Sequence, residues 1–132
     1  MYDNRLIRCS NSTQSTFVHE GKHKNISFET LEKFNNVIDY INSNYCDSNI
    51  SLSVLSKYSG INKTFLSSLF PIITGSNFTQ YLHRLRIERA IEHIYGFNKN
   101  ISEIAYSCGF ETIRSFNNVF KSVMGTTPKG FI

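Results

Sequence analysis

His19, Glu20 and His23, within His19-Glu20-Gly21-Lys22-His23, spell HExxH. On a helix that spacing sets two imidazoles one turn apart for zinc, with the glutamate as general base. Gly21 interrupts the motif, its neighbours are polar with no helical face to bury, and so short a chain offers no evident third ligand or cleft. The pattern is therefore read as a chance match in a solvated tail. Cys9, Cys46 and Cys108 are odd in number, widely spaced and without a CxxC, which argues against a disulfide framework or a structural zinc site and fits a reducing cytoplasm. His83 and His93 lie ten residues apart and make no helical metal pair. Phe65, Phe70, Phe110, Phe116 and Phe120 could stack nucleic-acid bases, but their helical spacing assigns them to core packing. No metal, cofactor or catalysis is expected.

What remains is binding chemistry. A formal charge of +4 on 132 residues suits nucleic acid or an anionic surface without reaching histone-like density. Forty per cent hydrophobic composition, with 11 Phe and 7 Tyr, is enough for one ordinary domain or two very small ones sharing a core. No apolar run approaches the roughly 18 residues of a membrane span, and the start lacks the apolar core of a signal peptide, so no membrane partner is expected.

These side chains must be held by helices, since apolar residues recur at three and four. Residues 1–26, rich in Asn, Ser and Thr, read as a flexible N-terminal arm or linker. From Ser27, Leu31, Phe34, Ile38, Ile41 and Tyr45 mark a core helix ending near Asn44 to Asn49. Ser51 caps a short helix through Leu55 to Tyr58, Gly60 stops it, and Asn62 caps the next, which carries Phe65, Leu66, Leu69 and Phe70. Pro71 lacks a backbone donor and disfavours a helical Phe70, so this helix is expected to end there. A long helix follows over about 77–95, apolar at Phe78, Tyr81, Leu82, Leu85, Ala90, Ile91, Ile94 and Tyr95, with His83, Arg84, Arg86 and Arg89 on its polar remainder. The eighteen residues Phe78 to Tyr95 span roughly 27 Å, near the roughly 34 Å between successive major-groove faces of DNA.

After a break at Gly96 to Asn100 the same grammar returns. Ile101, Ile104 and Ala105 form a short helix, Gly109 the tight turn and Phe110 a plug; Thr112 caps a helix bearing Ile113, Phe116, Val119, Phe120 and Val123. Leu55 matches Ile104, Gly60 matches Gly109, Leu66-x3-Phe70 matches Phe116-x3-Phe120, and each terminal Phe precedes a glycine by five residues. Such self-similarity indicates a duplicated helix-turn-helix, over about 51–75 and 101–125. Pro128 opens a last turn that folds Phe131 back on the core.

Ile101-x2-Ile104-Ala105-x3-Gly109-Phe110, then Phe116-x3-Phe120-Lys121, Gly125 and Thr127-Pro128-x2-Phe131, together with Tyr81 to Ala90, resemble the C-terminal DNA-binding domain of AraC/XylS transcription regulators. The likeness runs from about Leu31 to Phe131, within a domain read as 27–132. It implies an all-α fold of about seven helices, with two helix-turn-helix subdomains joined by the long central helix. It also implies recognition helices in adjacent major grooves of double-stranded DNA, transcription activation, and contact with RNA polymerase. Carried over by position, Thr64, Ser67 and Ser68 of the first recognition helix and Ser115 and Asn118 of the second face base edges, with Arg114 and Asn117 adjacent. Asn pairs bidentately with adenine, hydroxyls read either base type, and Arg114 addresses guanine.

Lys63, Lys121, Lys129 and the helix starts at Asn62 and Thr112 are the phosphate-contact candidates; the bland reading of each lysine is a solvated surface cation. The sequence departs from the family where Ser68 and Asn118 stand in place of frequent arginines, Pro71 in place of lysine, Ser56 in place of alanine, and Ile132 at a frequent arginine. Each lost cation weakens phosphate attraction, so modest affinity, helped by A/T-rich DNA shape, is expected. The alternative function is a degenerate helix-turn-helix module that acts mainly through protein–protein binding. Family members often carry an N-terminal effector-binding or dimerisation domain; with 26 residues before Ser27, the sequence is either a compact stand-alone member or a fragment of a longer protein.

Overall fold

The structure, a computed structural model, describes residues 26–96 and 100–131. Within them the regular elements are seven helices: α1 (Phe28–Asn44), α2 (Leu52–Ser59), α3 (Lys63–Thr74), α4 (Phe78–Gly96), α5 (Ile101–Ser107), α6 (Ile113–Met124) and α7 (Pro128–Phe131). The HExxH residues and the proposed arm up to Asn25 lie outside the described residues. No described helix is long and apolar enough to cross a membrane.

The chain divides into two compact units, the first comprising the described residues up to Ser43 with Ile50–Phe78, the second Asn44–Asn49 with Thr79 onward. In the first, α1 buries Leu31, Phe34, Val37, Ile38 and Ile41. Phe34 meets Phe70 edge-on at 4.9 Å, and Phe70 meets Phe78 at 5.5 Å. Ser51 accepts from the Val54 amide to start α2, and Gly60 ends it with a left-handed φ of 80°. Ser56, at a position where alanine is frequent, donates its hydroxyl to the Ile61 carbonyl at 2.6 Å, so this half-buried group costs nothing unpaired.

The expected early stop at Pro71 does not occur: α3 runs on through the proline to Thr74. Pro71 and Ser67, whose carbonyl loses its donor, are both exposed, so water can serve that carbonyl. The last turn is held by Thr74 Oγ1 donating to the Phe70 carbonyl at 2.7 Å and the Gly75 amide donating to Pro71 at 3.0 Å. Full burial of Leu66, Leu69 and Phe70 keeps the preceding turn in place. At ~1.5–3 kcal/mol per side chain, that burial outweighs the ~3 kcal/mol cost of an interior proline.

The second unit is built on an apolar cluster of Ile87 and Ala90 of α4 with Ile104, Ala105, Cys108, Phe110, Phe116 and Phe120. Phe110, Phe116, Phe120 and Phe131 follow one another edge-on or tilted at 5.3–5.7 Å between ring centres. Here α4 departs from the single apolar face expected of it. Tyr81, Leu82 and Leu85 are buried on one side, whereas Ile87, fully buried, and the half-buried Ile91 and Ile94 lie round the other. Tyr95 is 76% exposed.

Arg86 also departs from its expected place on the polar face, being only 7% exposed. Its Nε donates to the Tyr45 carbonyl at 2.8 Å, its Nη2 donates to the Asp47 carbonyl at 2.9 Å, and the guanidinium lies 5.7 Å from the Phe110 ring centre. Burial lowers its pKa, opposed by Cys46, Asp47, Cys108 and Glu111 nearby, and an arginine remains charged under such conditions. Gly109 is packed under this strut with a φ of 98°: a Cβ there would stand 2.6 Å from the Tyr45 carbonyl oxygen and 2.9 Å from Arg86 Nε. Both its backbone conformation and its surroundings require glycine.

Candidate nucleic-acid interface

Each unit presents one helix held by its apolar side and capped at its start. In α3, Asn62 Oδ1 accepts from the Thr64 and Phe65 amides at 2.9 and 3.2 Å. In α6, Thr112 Oγ1 accepts from the Ser115 amide at 3.0 Å. These bonds satisfy donors that would otherwise point at a ligand. The Lys63 amide of α3 and the Ile113 and Arg114 amides of α6 take no bond from the caps, so these backbone donors, with the Asn62 side-chain NH2 and the Thr112 hydroxyl, are what each helix start can offer a phosphate.

With Leu66, Leu69 and Phe70 buried, the outward side of α3 carries Lys63, Thr64, Ser67 and Ser68, all exposed. Ser68 donates its hydroxyl hydrogen to the Phe65 carbonyl at 2.7 Å, so it turns its lone pairs outward as an acceptor, matched to adenine N6 or cytosine N4. With Phe116 and Phe120 buried, α6 exposes Arg114, Ser115, Asn118 and Lys121. Asn117 stands apart from that set. It is half-buried and lines a shallow pocket with Ile101, Thr127, Pro128 and Lys129, at the flank of α6. That pocket brings Lys129, an exposed phosphate candidate at the start of α7, beside the recognition helix. Glu111, exposed and immediately before the Thr112 cap, opposes a phosphate there and has no counterpart in the first unit, where Ile61 precedes the cap.

Phe65 is the residue that spacing misplaced: expected in the core, it is 45% exposed on α3. The core stripe is Leu66, Leu69 and Phe70, and Phe65 sits at its edge, about 40° round the helix from Leu69 but about 100° from Leu66 and about 140° from Phe70. The internal repeat held the signal, because aligning Leu66 with Phe116 pairs Phe65 with the exposed Ser115. The His83 and Phe110 ring centres lie 6.5 Å apart, and burial, with Arg86 nearby, lowers the His83 pKa.

Residues 55–132 match a family described as a helix-turn-helix domain. An HTH-type transcriptional regulator of Staphylococcus aureus is 34% identical over 115 residues, 87% of this chain but 15% of that protein. The chain thus spans about a seventh of that relative's length. Among solved structures, the C-terminal domain of the two-component response regulator yesN from Fusobacterium nucleatum is 31% identical, with a TM-score of 0.71 over 76% of this chain and 97% of that one. The DNA-binding domain of AdpA, solved in complex with a target DNA, shares the fold at 19% identity, with a TM-score of 0.68 over 73% of this chain and 86% of that one. The chain belongs to the AraC-type helix-turn-helix family.

Proposed function

We propose that this chain binds double-stranded DNA sequence-specifically and regulates transcription, most simply as an activator, with α3 and α6 each entering a major groove and the two grooves adjacent. The observation that carries the reading is the duplicated arrangement. Two capped helices, each fastened by a buried Leu or Phe and a Phe one turn later, turn polar side chains outward at matching positions. A relative with the same fold carries out DNA binding in its solved complex. Thr64, Ser67, Ser68, Arg114, Ser115 and Asn118 read base edges, and Asn117 contributes from the flank. Asn62, Lys63, Thr112, Lys121 and Lys129 position the duplex through phosphates. RNA polymerase is the partner that converts binding into activation, and the cytoplasm is the compartment where it does so.

A binding selection from random duplex DNA, at low and moderate salt, tests this with wild type and Asn118→Ala side by side. The expected result is a motif of two blocks about one helical turn apart, one of them altered by the substitution. A single block would mean that only one helix reads bases. Absence of any motif at either salt would overturn sequence-specific reading by this chain.

A further inference from the structure

The first unit is poor in hydrogen-bonding readers. Its outward side offers three hydroxyls, one of them already donating to Phe65, where the second unit has Arg114 and Asn118. Between Ser68 and the buried Leu69 stands a phenyl ring that the fold covers only in part: Phe65, 45% exposed in the first turn of α3, about 60° round the helix from Ser68 and about 40° from Leu69. The exposed part of that ring forfeits the gain its burial would bring, while the fully buried Leu66, Leu69 and Phe70 fasten the helix. The matching residue of the second unit, Ser115, performs the same backbone role with a small polar side chain. Residues in the first turn of a recognition helix are those that reach base edges, and the one apolar feature that a base pair presents in the major groove is the thymine C5-methyl.

We propose that Phe65 is a specificity-determining residue that packs on a thymine C5-methyl, so that the first unit reads its half of the site by apolar contact rather than by charged or bidentate hydrogen bonds. The inference rests on the DNA reading above and adds the base preference. Ser68, presenting an acceptor, complements it: an acceptor next to an apolar ring suits an A/T step, where adenine N6 donates and thymine supplies the methyl.

The test uses the site recovered by selection. In the block that Asn118→Ala leaves unchanged, each thymine is replaced singly by deoxyuridine, which removes the methyl and preserves pairing. Affinity is then measured for wild type, Phe65→Ala and Phe65→Leu. For wild type, one thymine position should lose about fourfold in affinity, the factor corresponding to ~0.8 kcal/mol for one buried methyl-sized group. Phe65→Ala should bind the thymine and deoxyuridine sites equally, while Phe65→Leu, still apolar, should keep most of the discrimination. Far-UV circular dichroism of the variants checks that α3 is intact. If wild type is indifferent to every deoxyuridine in that block, or if the discrimination survives in Phe65→Ala, the proposal is overturned while DNA reading stands. If no site is recovered at all, the DNA reading fails and this inference falls with it.

Discussion

Gly60 and Gly109 occupy matching turns of the duplicated unit, with φ of 80° and 98°, and replacing each by alanine separates two costs that usually travel together. At Gly60 a Cβ meets nothing within 4 Å, so the variant carries only the strain of a left-handed L-residue, ~1–2 kcal/mol. At Gly109 the same strain applies, and the new carbon would stand 2.6 Å from the Tyr45 oxygen and 2.9 Å from Arg86 Nε. The 2.8 Å bond between those two atoms cannot survive. A hydrogen bond to a charged group contributes ~1.5–3 kcal/mol, so Gly109→Ala should lose roughly 2.5–5 kcal/mol in all. For the roughly 100 described residues, each kcal/mol moves the midpoint by about 4 °C. Thermal unfolding followed by circular dichroism should therefore place Gly109→Ala at least about 6 °C below Gly60→Ala. In an Arg86→Met background, where the bond is already gone, Gly109→Ala should cost less than it does alone. Equal midpoints for the two alanine variants would refute the reasoning, because the close approach of Gly109 to the Arg86 strut would then contribute nothing.

Pro71→Ala should stabilise the chain by about 1–2 kcal/mol in denaturant titrations: α3 already runs through this exposed position, and the restored bond outweighs the added freedom of the unfolded chain. A loss of stability would mean that the proline supports the turn it interrupts. Lys121→Ala should lower the slope of log affinity against log salt by about 1, whereas Lys33→Ala, at a residue paired with Glu29 at 3.5 Å on α1, should leave the slope unchanged. Equal slopes for wild type and Lys121→Ala would remove that lysine from the phosphate contacts. His83 has a folded-state pKa held below its ordinary 6.5 by burial and by Arg86, so between those values the unfolded chain binds the extra proton. Stability should accordingly fall as pH drops below about 6.5 and level off beneath the folded pKa, and His83→Gln should flatten that dependence. A pH profile identical in the two proteins would reject the assignment.

Local chemistry made much of this protein legible from its sequence alone. Ser51, Asn62 and Thr112 cap helices because their side-chain oxygens reach amides two or three residues on, and Gly60, Gly109 and Gly125 adopt left-handed turns that other residues resist. Those effects act within a few residues, as does the three-and-four spacing that placed Leu55, Leu66, Phe70, Ile104, Phe116 and Phe120 in the core. The duplication then followed from comparing one set of local signals with the other, while the outward positions of Thr64, Ser68, Arg114 and Asn118 came from the family resemblance. Three features needed the tertiary structure. Pro71 reads locally as a stop, yet burial of the residues before it and the bonds of the last turn carry α3 past it. Arg86 reads as a solvated cation, but its partners are carbonyls 41 and 39 residues away, which no local period can announce. Phe65 reads as core because it is aromatic beside a core stripe; its pairing with Ser115 in the repeat points the other way, and the packed orientation of α3 decides between them by leaving the ring half exposed. Caps and turns are settled between neighbours in the chain, whereas burial is settled by whatever the rest of the chain brings against a helix.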